Sequence, residues 1–150
     1  MTKDELISFF ERDLNKLIVE IEAYKSEENL WKVNKEVTNS SGNLALHIIG
    51  NLHTFIGKEL GKTDYIRQRD LEFSQQNVKR ETLITHLNET KEMVKASLSS
   101  MTIESLRKDY PLLKFDKVES IEFLLVHLIA HLNYHLGQIN YHRRLLDYQH

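Results

Sequence analysis

Few residues in this sequence can interrupt a helix. Among its 150 residues there is one proline, Pro111, and there are five glycines, the two residue types that most strongly disfavour helix interiors. Apolar residues also recur at intervals of three and four over long stretches, which places them on one face of an α-helix. No segment has the strict alternation of a half-buried strand. The sequence therefore predicts an all-α protein with long helices.

The first two helices have recognisable start signals. Residues 2–5 have the form of a capping box, with a hydroxyl at the helix start and a carboxylate three residues later. The apolar spacing that follows predicts a helix to about Tyr24. Residues 40–43 offer several N-caps for a second helix, which is predicted to end at Gly57 or Gly61.

Two further helices are predicted in the second half of the chain. The third covers about residues 78–99, and the fourth covers about residues 117–147 with Asp116 as its N-cap and Glu119 three residues later. The connections are residues 25–39, 62–77 and 100–115. Four helices with long connections predict a four-helix bundle with crossovers, and the length suits a single domain over residues 1–150.

Composition excludes several classes of partner and site. The sequence has 20 basic and 22 acidic residues, which gives a formal charge of −2, and we therefore expect neither nucleic acid nor an anionic membrane as a partner. Cysteine is absent, so disulfides, thiolate metal ligands and a cysteine nucleophile are excluded. This absence suits a reducing compartment, and we expect a cytoplasmic protein. The longest apolar stretch, residues 123–132, is far shorter than the roughly 18 residues of a membrane span.

Histidine is unusually frequent, and four of the eight histidines lie on the fourth predicted helix. His131 and His135 are one turn apart on one face, so that their rings can converge on one divalent metal ion. His127 and His131 form a competing pair with the same spacing, and the spacing leaves the choice open. His142 shares the face of His131 and His135 but lies about 10 Å further along the axis. Alternatively, these are partly buried histidines that bond to neighbouring residues.

The second helix offers a further candidate ligand. His47 is flanked at four-residue spacing by Asn43 and Asn51, which together form a polar strip beside the apolar stripe. Such a strip can direct a ligand between the helices of a bundle. We expect the remaining histidines at the surface: His53, His86 and His150.

Three segments of the chain resemble one family. Residues 131–139, HLNYHLGQI, are similar to the C-terminal HxxxHxGQ signature of the DinB/YfiT-like superfamily. Residues 42–52, GNLALHIIGNL, resemble the second-helix signature that carries the first histidine of that superfamily. Residues 67–73, RQRDLEF, are similar to its crossover loop.

The resemblance implies a fold and a metal site. The fold is a four-helix bundle with up-down-down-up topology, usually in a homodimer. The site is a histidine triad that binds nickel or zinc, and by the resemblance its ligands here are His47, His131 and His135. This favours the His131/His135 pair over His127/His131.

The resemblance also implies a class of function. Characterised members include thiol S-transferases that use bacillithiol or mycothiol, a mycothiol-dependent maleylpyruvate isomerase and proteins described as metal-dependent hydrolases. The expectation is a divalent-metal-dependent enzyme that acts on a small molecule, with a low-molecular-weight thiol as a second cofactor if it is an S-transferase. Many members carry Glu directly after the second motif histidine, where this chain has Leu132. The alternative is a non-catalytic dimeric bundle in which the metal is structural.

Three amide side chains are candidate cofactor-binding residues: Asn43, Asn51 and Gln138. They could orient a ligand or bond the second nitrogen of a histidine, or they could serve interhelical structure. A homodimer is expected from the resemblance and from apolar residues on more than one face of the fourth helix. These residues are Leu124, Leu125, Ile129, Leu132 and Leu136.

Overall fold

The computed structural model of the chain describes residues 1–148, and these residues are helical with no strand. The helices are α1 (Lys3–Ala23), α2 (Ser41–Leu52), α3 (Arg69–Ser74), α4 (Arg80–Leu98), α5 (Ile103–Leu106) and α6 (Ile121–Leu146). A 3₁₀ turn covers Glu27–Trp31, and α2 continues into a π-helical segment, His53–Lys58. The all-α prediction is confirmed for these residues, and His150 lies outside them.

The start of α1 is the predicted capping box. The Thr2 hydroxyl accepts from the Glu5 amide at 3.1 Å, and the Glu5 carboxylate accepts from the Thr2 amide at 2.8 Å. Helix α2 is capped at the first of the four candidate positions, because the Ser40 hydroxyl accepts from the Asn43 amide at 3.1 Å. Both caps satisfy amides that have no partner inside the helix.

The predicted start of the last helix is wrong. Ser120 and not Asp116 is the N-cap of α6, and its hydroxyl accepts from the Phe123 amide at 3.1 Å. Ser120 is in extended conformation, and the carbonyl of the preceding Glu119 accepts from the Tyr110 amide at 2.9 Å. An isolated antiparallel bridge joins Asp109 to Ser120. Because Ser120 is paired with the preceding connection in this way, α6 begins at Ile121, four residues after the predicted start at 117.

The four longer helices pack around one apolar core. Helix α1 contacts α4 and α6, and α2 also contacts α4 and α6. Short elements lie in the connections where the sequence predicts none, and α3, which packs on α2, lies within the predicted crossover 62–77. No helix within residues 1–148 combines the length and apolarity that crossing a membrane requires.

The apolar residues on the several faces of α6 pack against other helices of the same chain. Leu124, Leu125 and Leu132 are buried in the core, and Ile129 and Leu136 pack against it while partly buried. Helix α6 needs apolar residues on these faces because it contacts α1, α2 and α5. These five residues therefore do not form the second, unpartnered face from which a dimer was predicted.

Candidate metal centre

The rings of three histidines converge between α2 and α6. The Nε2 atom of His131 lies 3.3 Å from Nε2 of His47 and 3.1 Å from Nε2 of His135. The potential ligand atoms of all three residues lie within 4.8 Å of one another. The structure thus brings together residues that are 84 positions apart in the sequence.

The spacing and chemistry of these nitrogens fit a transition metal. An ion bound tetrahedrally at about 2.0–2.1 Å from each imidazole nitrogen holds those nitrogens about 3.3 Å apart. The observed separations of 3.3 and 3.1 Å are close to that value. Three imidazoles also form a donor set that suits zinc, nickel or copper. The three histidines can therefore hold one divalent ion and leave a coordination position open.

His47 is oriented by a carboxylate on α3. Its Nδ1 donates to Glu72 Oε1 at 3.0 Å, which leaves the Nε2 lone pair directed at the other two histidines. Glu72 is only 6% exposed. Its charge is balanced by Arg67, whose Nε and Nη2 each donate to the carboxylate at 2.9 Å. This bidentate pair fixes the carboxylate as well as neutralising it.

Gly50 leaves the space that the Glu72 carboxylate occupies. A Cβ atom at position 50 would lie 1.9 Å from Glu72 Oε2 and 2.6 Å from its Cδ. Any larger residue would therefore displace the carboxylate that orients His47. Gly50 lies one turn after His47 on α2, so the histidine and the space for its partner come from the same short segment.

One protein family matches almost the whole chain. The family described as "Protein of unknown function (DUF1572)" matches residues 2–150. The chain belongs to the DUF1572 family. No curated protein matches the sequence.

In this DUF1572 chain, His135 also has an outer partner. Its Nδ1 donates to Gln138 Oε1 at 2.7 Å, which again leaves the Nε2 lone pair facing the triad. Two of the three converging nitrogens are therefore held as acceptors by groups outside the cluster. His131 Nε2 can donate its single proton to only one of them at a time, whereas a bound cation would accept all three lone pairs.

Burial keeps the three imidazoles neutral near pH 7. It lowers the pKa of His47, against the raising effect of the Glu72 hydrogen bond, and lowers the pKa of His135. The pKa of His131 falls to about 4, because burial and then the neighbouring His135 and His47 disfavour its charged form. Metal ligation requires neutral imidazole, so these shifts favour binding over protonation.

The three candidate amides have different roles. Gln138 bonds His135, as described above. The Asn43 amide group donates to the backbone carbonyls of Glu72 and Gln75 at 3.0 and 2.7 Å, and thereby attaches α3 to α2. Asn51 is buried, and its Oδ1 has no hydrogen-bond partner among residues 1–148.

The other histidines lie apart from the triad. The ring of His127 is 6.5 Å from that of His131 and packs against Phe115, so His127 does not join the converging nitrogens. His53 is half-buried rather than exposed as predicted, with Nε2 3.1 Å from the Thr90 hydroxyl. His86 is exposed, as predicted.

Glu72 is the site residue that sequence reasoning missed. Leu132, which the resemblance aligns with a Glu of many DinB/YfiT-like proteins, is 1% exposed and belongs to the core. The carboxylate beside the triad comes instead from α3, 25 residues after His47. The sequence of the charged crossover segment 67–73 contained a signal for it. Glu72 lies there between two apolar residues and five residues after Arg67, which indicates a partly buried carboxylate with a cationic partner.

A cavity of about 440 Å³ lies next to this carboxylate but not in front of the triad. Its lining includes Glu72, His53, Tyr65 and His86, and none of the three converging histidines.

Proposed function

We propose that the protein binds one divalent transition metal, nickel or zinc, through His47, His131 and His135, and that this metal centre is catalytic. The observation that supports the proposal is the convergence of three Nε2 atoms, two of which are kept unprotonated by outer partners. Three protein ligands with an open position are typical of catalytic sites, whereas structural sites are closed by four.

The chain's own residues would prepare this centre without further movement. Glu72 orients His47 and is itself held and neutralised by Arg67. Gln138 orients His135 from the next turn of α6. When bound, the metal would supply a Lewis acid that polarises a substrate or activates a nucleophile.

We further propose that the chain is a member of the DinB/YfiT-like superfamily, with an up-down-down-up four-helix bundle. The whole-chain DUF1572 match, the helical structure and the position of the three histidines support this assignment. Under it, the reaction is thiol S-transfer or hydrolysis of a small molecule. This chain has the buried Leu132 where other members carry Glu, so that acid is absent here. The buried Glu72 carboxylate, which accepts from His47, is the acid beside the triad in this chain.

The test begins with protein purified without a nickel column, whose metal content is measured directly. Nickel and zinc titrations of the wild type and His131→Ala then determine whether the triad binds the metal. Metal-loaded protein is assayed for transfer of a low-molecular-weight thiol to an electrophile and for hydrolysis of activated esters. One bound ion and metal-dependent turnover support the proposal. Stoichiometric binding with no turnover, together with large stabilisation by metal, would favour the structural alternative.

We also propose that the protein forms a homodimer through the outer face of α6. Apolar and aromatic side chains remain exposed there along the whole helix: Phe123, Val126, Tyr134, Tyr141 and Leu145. Monomeric proteins seldom expose such a continuous series. Light scattering at micromolar concentration tests this proposal, and a single species of 17.7 kDa would contradict it.

A further inference from the structure

Three cationic side chains surround two aromatic rings beside the triad. The Lys114 ammonium lies 4.1 Å from the centre of the Phe55 ring, and the Arg67 guanidinium lies 5.8 Å from the same ring. Arg69 lies 5.5 Å from the Phe73 ring. The Phe73 ring in turn lies 4.9 Å from that of His47, so this cationic cluster of Arg67, Arg69 and Lys114 reaches the edge of the candidate metal centre.

The segment that carries Lys114 is attached on both sides. Before it, the Tyr110 hydroxyl donates to the Phe55 carbonyl in the π-helical segment at 2.6 Å. After it, the Phe115 ring packs edge-on against His127 at 4.9 Å, one turn before His131. Lys114 is thus held between α2 and α6, the two helices that supply the histidines. A π-helical segment is uncommon and is frequently found at functional sites.

Two of these three charges have no acidic partner. Arg67 is paired with Glu72, but within residues 1–148 neither Arg69 nor Lys114 has a carboxylate within 4.0 Å. Burial lowers the pKa of Lys114, and the charges of Arg67 and Arg69 lower it further. The protein therefore keeps mutually repelling cations together, an arrangement that a bound anion would stabilise.

We propose that the cationic cluster binds a carboxylate or phosphate group of the substrate and holds it next to the metal centre. This inference rests on the proposed function and specifies its substrate class as a small anionic molecule. Three cations on a chain of formal charge −2 are too few for the backbone of a nucleic acid, which is bound through many phosphate contacts. Lys114 and Arg69 contact the anion, and Arg67 adds its charge while it holds Glu72.

The test measures anion binding directly by calorimetry, with inorganic phosphate and succinate as the two probes. Wild type, Lys114→Ala, Lys114→Arg and Lys117→Ala are compared, each in nickel-loaded and metal-free form. Lys117 is a matched control because it is an exposed lysine of the same segment, 3.7 Å from Glu119. Loss of one charged contact is expected to weaken binding about tenfold in Lys114→Ala, with Lys117→Ala unchanged and Lys114→Arg close to wild type. The better of the two probes identifies the anionic group.

The outcomes separate this inference from the proposed function. No binding of either anion to wild type, or equal weakening in Lys114→Ala and Lys117→Ala, overturns the inference even if nickel binds the triad. Binding that disappears without nickel but is unaffected by Lys114→Ala also overturns it, since the metal alone would then hold the anion. If neither nickel nor zinc binds the triad, the proposed function fails. Lys114-dependent anion binding by the metal-free protein then still identifies the anion site.

Discussion

Helix α6 carries two histidine environments that look alike in sequence and differ in structure. Near its middle, His131 and His135 direct their Nε2 atoms at His47. Near its end, His142 is only 3% exposed. Its Nε2 donates to the Lys32 carbonyl at 2.8 Å, and its Nδ1 accepts from the Tyr24 hydroxyl at 2.6 Å.

The difference lies in which nitrogens are already used. Both nitrogens of His142 have partners within the protein, so this residue joins α6 to α1 and to the segment after the 3₁₀ turn. In the triad, Glu72 and Gln138 occupy only the outer nitrogens of His47 and His135. A buried histidine is thus a structural link when both nitrogens are satisfied, and a candidate ligand when one nitrogen faces others of its kind.

The largest expected effect distinguishes the two environments directly. His131→Ala should abolish nickel and zinc binding, because it removes the nitrogen at the centre of the cluster and leaves only two imidazoles as ligands. The reduction in metal affinity should greatly exceed the roughly 10–100-fold that is typical of changes to outer partners. Isothermal titration checks this, with His142→Ala as the control that retains wild-type affinity. Equal loss in both variants would contradict the distinction.

The next effect tests the outer partner of His47. Glu72→Gln should weaken metal binding about 10–100-fold, because the orienting carboxylate and its charge are removed. Gly50→Ala should have a similar effect without altering either residue, since the new Cβ collides with the Glu72 carboxylate. Metal titration of both variants is compared with Asp70→Asn, a change to an exposed acid of α3. Wild-type affinity in Gly50→Ala would show that the position of Glu72 is unimportant.

A smaller effect is expected on stability at the other end of α6. His142→Ala should lower the free energy of unfolding by about 2 kcal/mol, because it removes the donor to the Lys32 carbonyl and leaves the Tyr24 hydroxyl with Ser41 as its one remaining partner. Urea unfolding of the metal-free protein measures this loss. Tyr24→Phe keeps the bond from His142 to the Lys32 carbonyl but removes the hydroxyl that joins His142 to Ser41, and should also be destabilising. A value for His142→Ala near zero would mean that these contacts contribute nothing to the fold.

The smallest and most gradual effect is pH dependence of the metal-free protein. Histidines of the unfolded chain titrate near 6.5, whereas burial lowers the pKa of His142 and lowers that of His131 to about 4 in the fold. Between these values the unfolded chain binds more protons, so stability is complete above about pH 6.5 and falls as the pH falls toward 4.

Urea unfolding at a series of pH values checks this dependence. His142→Asn should reduce the slope relative to wild type, because it removes a buried histidine whose pKa is lowered in the fold. Stability that is constant or rises on acidification would contradict the burial of neutral histidines.

The helical elements were largely predictable because their signals are local. The capping box at Thr2 and the N-cap at Ser40 each act within three residues, and the structure has both. Apolar spacing located α1, α4 and most of α6. The start of α6 was predicted wrongly, because residues 108–110 pair with residues 119–121, and the helix then begins at the cap that Ser120 provides.

The candidate site was predictable in part. A single helical turn relates His131 to His135, but spacing could not choose between His135 and His127. The resemblance to the DinB/YfiT-like superfamily favoured His135, and the structure brings it to His131 and His47. Glu72 was not found, because its contact with His47 depends on how α3 packs against α2.

The sequence by itself determined the longer helices, apart from the start of α6, and the pairing of histidines one turn apart, since both follow from bonds and spacings within a few residues. Tertiary structure decided which nitrogens face each other, through Glu72 at 25 residues from His47 and His131 at 84 residues from it. It also decided that His142 is satisfied by Tyr24, 118 residues away. Such contacts arise only when helices pack, because packing fixes the distances between side chains that the local backbone leaves unrelated.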